Sequence, residues 1–316
     1  MQSFLKFLLL IAAGTAFGQP YPSKPVHLVV AFPPGGPVDI IARLITPKMS
    51  EALGQPIVVE NKTGASGNLA AAQVAKSAAD GYTILAHSSA YAVNSSLFAD
   101  PGYDAQKDFI PVAVVASQPN LILVNAEFPA RSLAELLQMA RAQKLAFASP
   151  SSGTTPHLTA ENLFRVRAKL DITHVPFRGA GPAVAALLGG QPPIGSLAGS
   201  APMPHIKSGK LRALAVSSSK RLASLPDVPT LTELGYSDME DYTWVGLFLP
   251  AGTPVGIAQK VNDAVLRSVQ GPDLRERLDA LAFDVTAAPL RETADYVKSE
   301  LVKWAKVVRD TGAKAE

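Results

Sequence analysis

The chain has no cysteine among its 316 residues. That absence excludes a disulfide framework, a thiolate nucleophile and a cysteine-based metal site, so any fold must rest on its apolar core. Basic runs are missing too, and the formal net charge is only +3. A nucleic-acid face needs clustered Lys and Arg, commonly with aromatic side chains for stacking, so no nucleic-acid partner is expected. Aromatic residues make up just 7% of the chain. The five histidines show neither H-x-x-x-H nor H-E-x-x-H spacing, and neither a metal nor a cofactor is expected. No apolar run reaches the ~20 residues of a membrane span.

What is present begins with "MQSFLKFLLLIAAGTAFGQP". Lys6 supplies one positive charge, Phe7 to Ala13 form a short apolar core, and the small residues Ala16 and Gly18 precede a cut before Gln19. These are the marks of a secretory signal peptide over residues 1–18, and they predict a periplasmic protein. The remaining chain is long enough for two domains at ~100–200 residues each.

One pattern then recurs: a β-rich run, a Gly/Ser/Pro turn and an amphipathic helix. "VHLVVAF" leads into "PPGGPVDIIARLI", "PIVVEN" into "KTGASGNLAAAQVAKSA", and "LAFASP" into "SSGTTPHLTAENLF". Strands alternating with helices of this length predict an α/β protein with mostly parallel sheets covered on both faces. Pro37, Pro156, Pro182 and Pro254 each fit the first helical position, and Asp39 can bond back to the turn before its helix. Gln118-Pro119 breaks "PVAVVASQPNLILVN" into two expected β runs. An economical arrangement has the chain leave a first domain near 117–121 and return near 244–250, giving a two-stranded hinge and a cleft.

The three glycine-rich turns "PPGGP", "GASGN" and "SSGTT" invite a phosphate reading. No Lys-[Ser/Thr] follows at P-loop spacing and no G-x-G-x-x-G occurs, so nucleotide binding is not expected. Anion binding by backbone N–H groups at helix starts survives, beside the plainer reading that these are capped βα turns. A nucleophile elbow G-x-S-x-G is absent. His157 sits beside "SSGTT", as a site residue or as an inert first-turn side chain. Arg178 follows a β run and precedes a glycine turn, where it can meet a carboxylate or form a surface salt bridge.

Taken in order, "YPSKPVHLVVAFPPGGPVDIIAR", "LGQPIVVENKTGASGNLAAAQVAKSAADGYTIL", "SSGTTPHLTAE", "VPFRGAGPAVAALLGGQ", "HIKSGKLRALAVSSSKRLASLPDVPTLTELG" and "WVGLFLPAGTP" resemble the periplasmic solute receptors of tripartite tricarboxylate transporters, the Bug family. The resemblance covers essentially the whole mature chain. It implies a non-enzymatic, two-lobed periplasmic binding protein of type II-like fold, each lobe a mixed, mostly parallel sheet flanked by helices. Residues 19–119 plus 246–316 would form lobe 1 and 120–245 lobe 2. It further implies a monomer that closes on a small organic carboxylate and delivers it to membrane permease subunits.

Carried over by residue, lobe 1 would contribute Pro34, Gly35, Gly36 and Asp39, then Ala65, Ser66, Gly67 and Asn68, with Ser88 and Asn94. Lobe 2 would contribute Ser149, Ser151, Gly153, Thr154 and His157, then Arg178 and Gly179. The chain departs from the family at Pro192, Pro193, Gly195 and Ser196, where an acidic residue is usual, and at Phe177, where tyrosine is commoner. Both departures argue against an amino-acid ligand. Two alternatives stand beside the transport reading: a ligand-loaded adaptor for a membrane sensor kinase, and a hydrolase using His157.

Overall fold

In the computed structural model, which describes residues 21–315, three strands open the fold. β1 (Val26–Val30) lies between β2 (Ile57–Asn61) and β3 (Thr83–Ser88), parallel to both. The intervening helices are α1 (Pro37–Leu53) and α2 (Asn68–Ala75), and α3 (Ala90–Leu97) follows β3. β1 is apolar at nearly every position because helices cover both of its faces. The expected signal segment, residues 1–18, lies outside the described residues.

The expected pair of runs around Gln118-Pro119 is instead one 17-residue strand, β4 (Phe109–Asn125). Pro119 is tolerated because it falls where the strand changes partners. Residues up to Pro119 pair with the later strand β9 (Tyr242–Pro250), and those from Asn120 pair elsewhere. The missing N–H therefore costs no ladder bond in a continuous pairing.

Beyond the changeover come α4 (Leu133–Ala142), β5 (Ala146–Ser149), α5 (Thr155–Glu161), β6 (Thr173–Pro176), α6 (Ala180–Leu188), β7 (Ile194–Ala198), α7 (Met203–Lys207) and β8 (Leu211–Val216). β5 is parallel to β6 and β7, whereas β4 is antiparallel to β7 and β8. The chain returns through β9 (Tyr242–Pro250), antiparallel to β3 and β4. It ends with α8 (Val255–Ser268), α9 (Pro272–Ala280), β10 (Asp284–Val285) and α10 (Leu290–Thr311). The result is a mixed α/β fold of two lobes. Parallel pairing belongs to the strands with helical crossovers, and the two strands that link the lobes are antiparallel.

Each half has apolar clusters on both sheet faces. α10 is pinned to the linking strands by an acid: Trp244 and Trp304 donate their indole N–H groups to Glu300 Oε2, at 2.8 and 2.9 Å. Both tryptophans are fully buried core residues. Lys303 of the same helix reaches Asp241 at 3.2 Å and the Glu240 carbonyl at 2.9 Å, just ahead of β9.

Of the four prolines expected at first helical positions, only Pro37 occupies one. Pro156 and Pro182 stand second and third, and Pro254 precedes its helix. Any first-turn position lacks an intrahelical acceptor for its N–H, so the tolerance extends across the turn. Among the described residues no helix is long and apolar enough to cross a membrane.

Candidate ligand-binding site

The turn after β1 is shaped by a glycine and a carboxylate. Gly35 adopts φ +81°, a left-handed conformation that costs glycine nothing. Its N–H donates to Asp39 Oδ2 at 3.0 Å, so the third residue of α1 bonds back as its position implied. Arg43 Nε and Asn61 Nδ2 each donate to Asp39 Oδ1 at 2.9 Å. Burial alone would push the Asp39 carboxyl up, but the donors Arg43, Gly35 and Asn61 outweigh it and hold it below its usual value.

The second lobe-1 turn joins β2 to α2. Ala65 and Ser66 take φ +45° and +55°, and Gly67 takes φ +93°. A Cβ on Gly67 would lie 2.3 Å from His87 Nε2, so glycine is the residue that fits. Asn94 on α3 steadies the turn, donating through Nδ2 to the Ser66 carbonyl at 3.0 Å and to Asn68 Oδ1 at 2.7 Å.

The lobe-2 turn after β5 repeats the first geometry with different chemistry. Gly153 adopts φ +79°, and its N–H donates to His157 Nδ1 at 3.2 Å. The His157 ring stacks on His174 with centroids 3.9 Å apart, and His174 Nε2 lies 2.7 Å from Ser149 Oγ. Burial, with smaller contributions from His174 and Arg165, pushes His157 down to about 2, and burial pushes His174 down to about 4. Both rings are therefore neutral, which His157 must be to accept a bond at Nδ1. Nearby, the Gly179 N–H donates to the Pro150 carbonyl at 2.7 Å, tying the Arg178–Gly179 turn to the first.

The lobes meet across a cleft. Ser66 Oγ lies 2.6 Å from Ser151 Oγ and also donates to the Ser152 carbonyl. Ser89 Oγ lies 3.0 Å from Thr155 Oγ1, which is 2.7 Å from Thr243 Oγ1 on β9. Thr243 in turn donates to Asn120 Oδ1 at 2.8 Å, and Asn120 donates to Thr159 Oγ1 at 2.9 Å. This chain of bonds carries the contact into the linking strands.

Two adjoining cavities lie in the cleft, with volumes of about 40 and 410 Å³. Of the residues expected from sequence, Gly36, Ser88, Thr154 and Gly179 line the smaller cavity. Ala65, Ser66, Gly67, Ser151 and Arg178 line the larger one, together again with Gly179. Pro34, Gly35, Asp39, Asn68, Asn94, Ser149, Gly153 and His157 do not line either; the bonds above place most of them behind the turns they hold. The Ser149–His174 contact is likewise behind the turn, so it offers no accessible nucleophile. Pro192 and Pro193 precede β7 away from the cavities, whereas Phe177 lines the larger one.

Phe32, Pro33 and Pro150 line both cavities and were missed, although they flank the very turns that sequence singles out. Ala198 and Thr243 reach the smaller cavity from sheet strands and carry no local signal at all. α1 and α6 begin here without side-chain caps, and Gly36, Val38, Gly179 and Ala180 at these starts are buried while Pro37 is half-buried. By contrast α4 is capped by side chains: Ser132 Oγ accepts from the Glu135 N–H at 3.2 Å and Glu135 Oε2 from the Arg131 N–H at 2.7 Å. The uncapped starts of α8, α9 and α10 are exposed to water, which can serve them. Buried, uncapped starts beside a cationic Arg178 leave this cleft suited to an anion.

Residues 41–313 match the model of the tripartite tricarboxylate transporter family receptor. Protein BugT of Bordetella pertussis is 38% identical over 298 residues, covering 93% of this chain and 91% of its own. MatC (Rpa3494) from Rhodopseudomonas palustris with bound malate superposes with a TM-score of 0.86 at 37% identity, over 91% of this chain and 100% of that one. R. palustris Rpa4515 with adipate superposes with a TM-score of 0.89 at 33% identity, over 94% and 100%.

Proposed function

The chain belongs to the tripartite tricarboxylate transporter receptor family, a family of periplasmic solute-binding proteins and not of enzymes, and from that premise we propose how it works. It captures a small organic carboxylate in the cleft and delivers it to the membrane permease subunits of a tripartite tricarboxylate-type transporter. Residues 1–18 are removed on export, and the mature chain acts in the periplasm as a monomer. Residues 19–119 plus 246–316 move as one lobe and 120–245 as the other. Gly36, Ala65, Ser66, Gly67, Ser88, Ser151, Thr154, Arg178 and Gly179 face the ligand. The turn-holding residues behind them set the geometry.

The observation that carries this reading is the convergence of main-chain turns from both lobes on one cleft whose lining holds a single charged side chain, Arg178, among the described residues. A planar guanidinium and unpaired N–H groups suit a carboxylate, and closure that expels water strengthens each charge-assisted bond. The malate and adipate held by two relatives support the same ligand class. A thermal-shift panel of carboxylates tests it. A ligand at a hundred times its Kd stabilises by about 2.7 kcal/mol, which raises Tm measurably. A panel of mono-, di- and tricarboxylates with no shift, and no heat by calorimetry, would overturn the proposal.

A further inference from the structure

The two cavities differ in size as well as in chemistry. The smaller, at about 40 Å³, has room for roughly three waters, which is also about the size of one carboxylate group. The uncapped starts of α1 and α6 border it, so it suits one carboxylate and leaves no space for the body of a ligand. The rest of the ligand lies in the larger cavity, at about 410 Å³.

Four polar side chains line that larger cavity: Thr63, Ser66, Ser151 and Arg178. Two of them hold the lobes together. Ser66 Oγ meets Ser151 Oγ at 2.6 Å and donates to the Ser152 carbonyl. Thr63 and Arg178 are exposed, and neither side chain has a hydrogen-bond or ion-pair partner among the described residues. Thr63 comes from the loop after β2 and Arg178 from the loop after β6, one from each half of the fold. The sheet puts Thr63 there. Lys62 makes the last sheet bond, its N–H donating to the Val30 carbonyl at 2.8 Å. Gly64 then turns at φ +136°, which leaves Thr63 between the strand and the turn that carries Ser66. No acid lines either cavity, so the ligand group that meets Thr63 and Arg178 is one that accepts hydrogen bonds.

We propose that Thr63 is a specificity-determining residue, which together with Arg178 reads a second carboxylate at the far end of the ligand. This rests on the carboxylate reading above and assigns the ligand's two ends to the two cavities. The guanidinium fork of Arg178 meets the second carboxylate, and Thr63 Oγ1 donates to it from the other wall. The first carboxylate lies at the helix starts. A ligand chain that ends in a methyl group leaves both donors to water and forgoes the charge-assisted bonds. Because the Thr63 hydroxyl has no partner in the protein, removing it breaks no internal bond, and any loss reports on the ligand.

The test is calorimetry on the mature chain with matched ligands, succinate against butyrate and adipate against hexanoate. Within each pair the carbon count is the same and only the second carboxylate differs. At least one dicarboxylate is expected to bind about a hundredfold more tightly than its monocarboxylate. Thr63→Val, which keeps the shape and removes the hydroxyl, is expected to cut that preference about tenfold, and Thr63→Ser to retain it. An unchanged preference in Thr63→Val, or monocarboxylates that bind as tightly as dicarboxylates, would overturn the inference and leave the carboxylate reading standing. A Thr63→Ser variant as impaired as Thr63→Val would point to shape instead of the hydroxyl and would overturn it too. Silence from all four compounds, and from a wider carboxylate panel, would overturn both.

Discussion

In the lobe-1 turn the Gly35 N–H is held by the Asp39 carboxylate, and in the lobe-2 turn the Gly153 N–H is held by the His157 imidazole. Both acceptors lie four residues on, and the two glycines have nearly the same φ, +81° and +79°. The surroundings differ. Asp39 is served by Arg43 and Asn61 and is held as an anion, whereas His157 is enclosed by His174 and Glu161 and is held neutral by burial. Gly35 faces open space, and Gly153 faces the opposite lobe. One backbone geometry can thus be built from a charged acceptor beneath an exposed glycine or a neutral one beneath a buried glycine. The burial of the glycine decides how much the acceptor matters.

The largest contrast should come from alanine at the two glycines. Both changes place a side chain at positive φ, costing about 1–2 kcal/mol. Only at Gly153 would the new Cβ also meet the other lobe, 2.6 Å from Asn94 Oδ1 and 2.9 Å from Leu97 Cδ2. That overlap adds about 1–3 kcal/mol against closure. Gly153→Ala should therefore weaken carboxylate binding by about a hundredfold, and Gly35→Ala by less than about tenfold. Calorimetry reads both.

Removing the acceptors should give a smaller difference in the same direction. His157→Phe keeps a ring against His174 but leaves the buried Gly153 N–H without a partner, at a cost of about 1–3 kcal/mol by denaturant melts. Asp39→Asn keeps an oxygen acceptor for Arg43 and Asn61, leaves the exposed Gly35 N–H to water, and should cost only about 1 kcal/mol. Equal losses would break the comparison.

Acid should reach the buried histidines before it reaches Asp39. His174 falls from its ordinary value near 6.5 to about 4, and the buried His87 also falls to about 4. The unfolded chain then binds more protons than the folded one below about pH 6.5, so stability is full above that pH and declines between 6.5 and 4. His157, at about 2, extends the decline below that window. The lowered Asp39 contributes stability above its ordinary carboxylate range and loses it only at still more acid pH. Tm measured against pH should show the first decline, and His174→Gln should make it shallower, with His87 and His157 supplying the rest. Ser66→Ala removes the hydroxyl contacts across the cleft to Ser151 and to the Ser152 carbonyl and should weaken binding by about 1 kcal/mol.

Much of this organisation is legible in the chain. The alternation of β runs and amphipathic helices fixes most elements, and Gly, Ser and Pro punctuate the turns that border the cleft. The β4 strand was not legible as one piece, because whether Pro119 ends a strand depends on partners that only the assembled sheet supplies. Proline at the helix starts was legible to within a turn and no better, since several first-turn positions tolerate it equally. At the site, Ser66, Ser151 and Arg178 are marked by their turns, and Phe32, Pro33 and Pro150 sit beside marked positions. Ala198 and Thr243 are different. They reach the cavity through strand register, which has no local signature. The neutral His157–His174 stack is equally hidden, because it joins residues seventeen positions apart by a ring contact that spacing does not encode.

The clamp itself is tested most directly by titrating a panel of mono-, di- and tricarboxylates into the wild-type chain and into Gly153→Ala, with circular dichroism to verify that both are folded. The expected result is saturable carboxylate binding in the wild type that falls by about a hundredfold in Gly153→Ala. Equal affinity in the two folded proteins, or no carboxylate bound by the wild type, would contradict closure of two turns on a carboxylate.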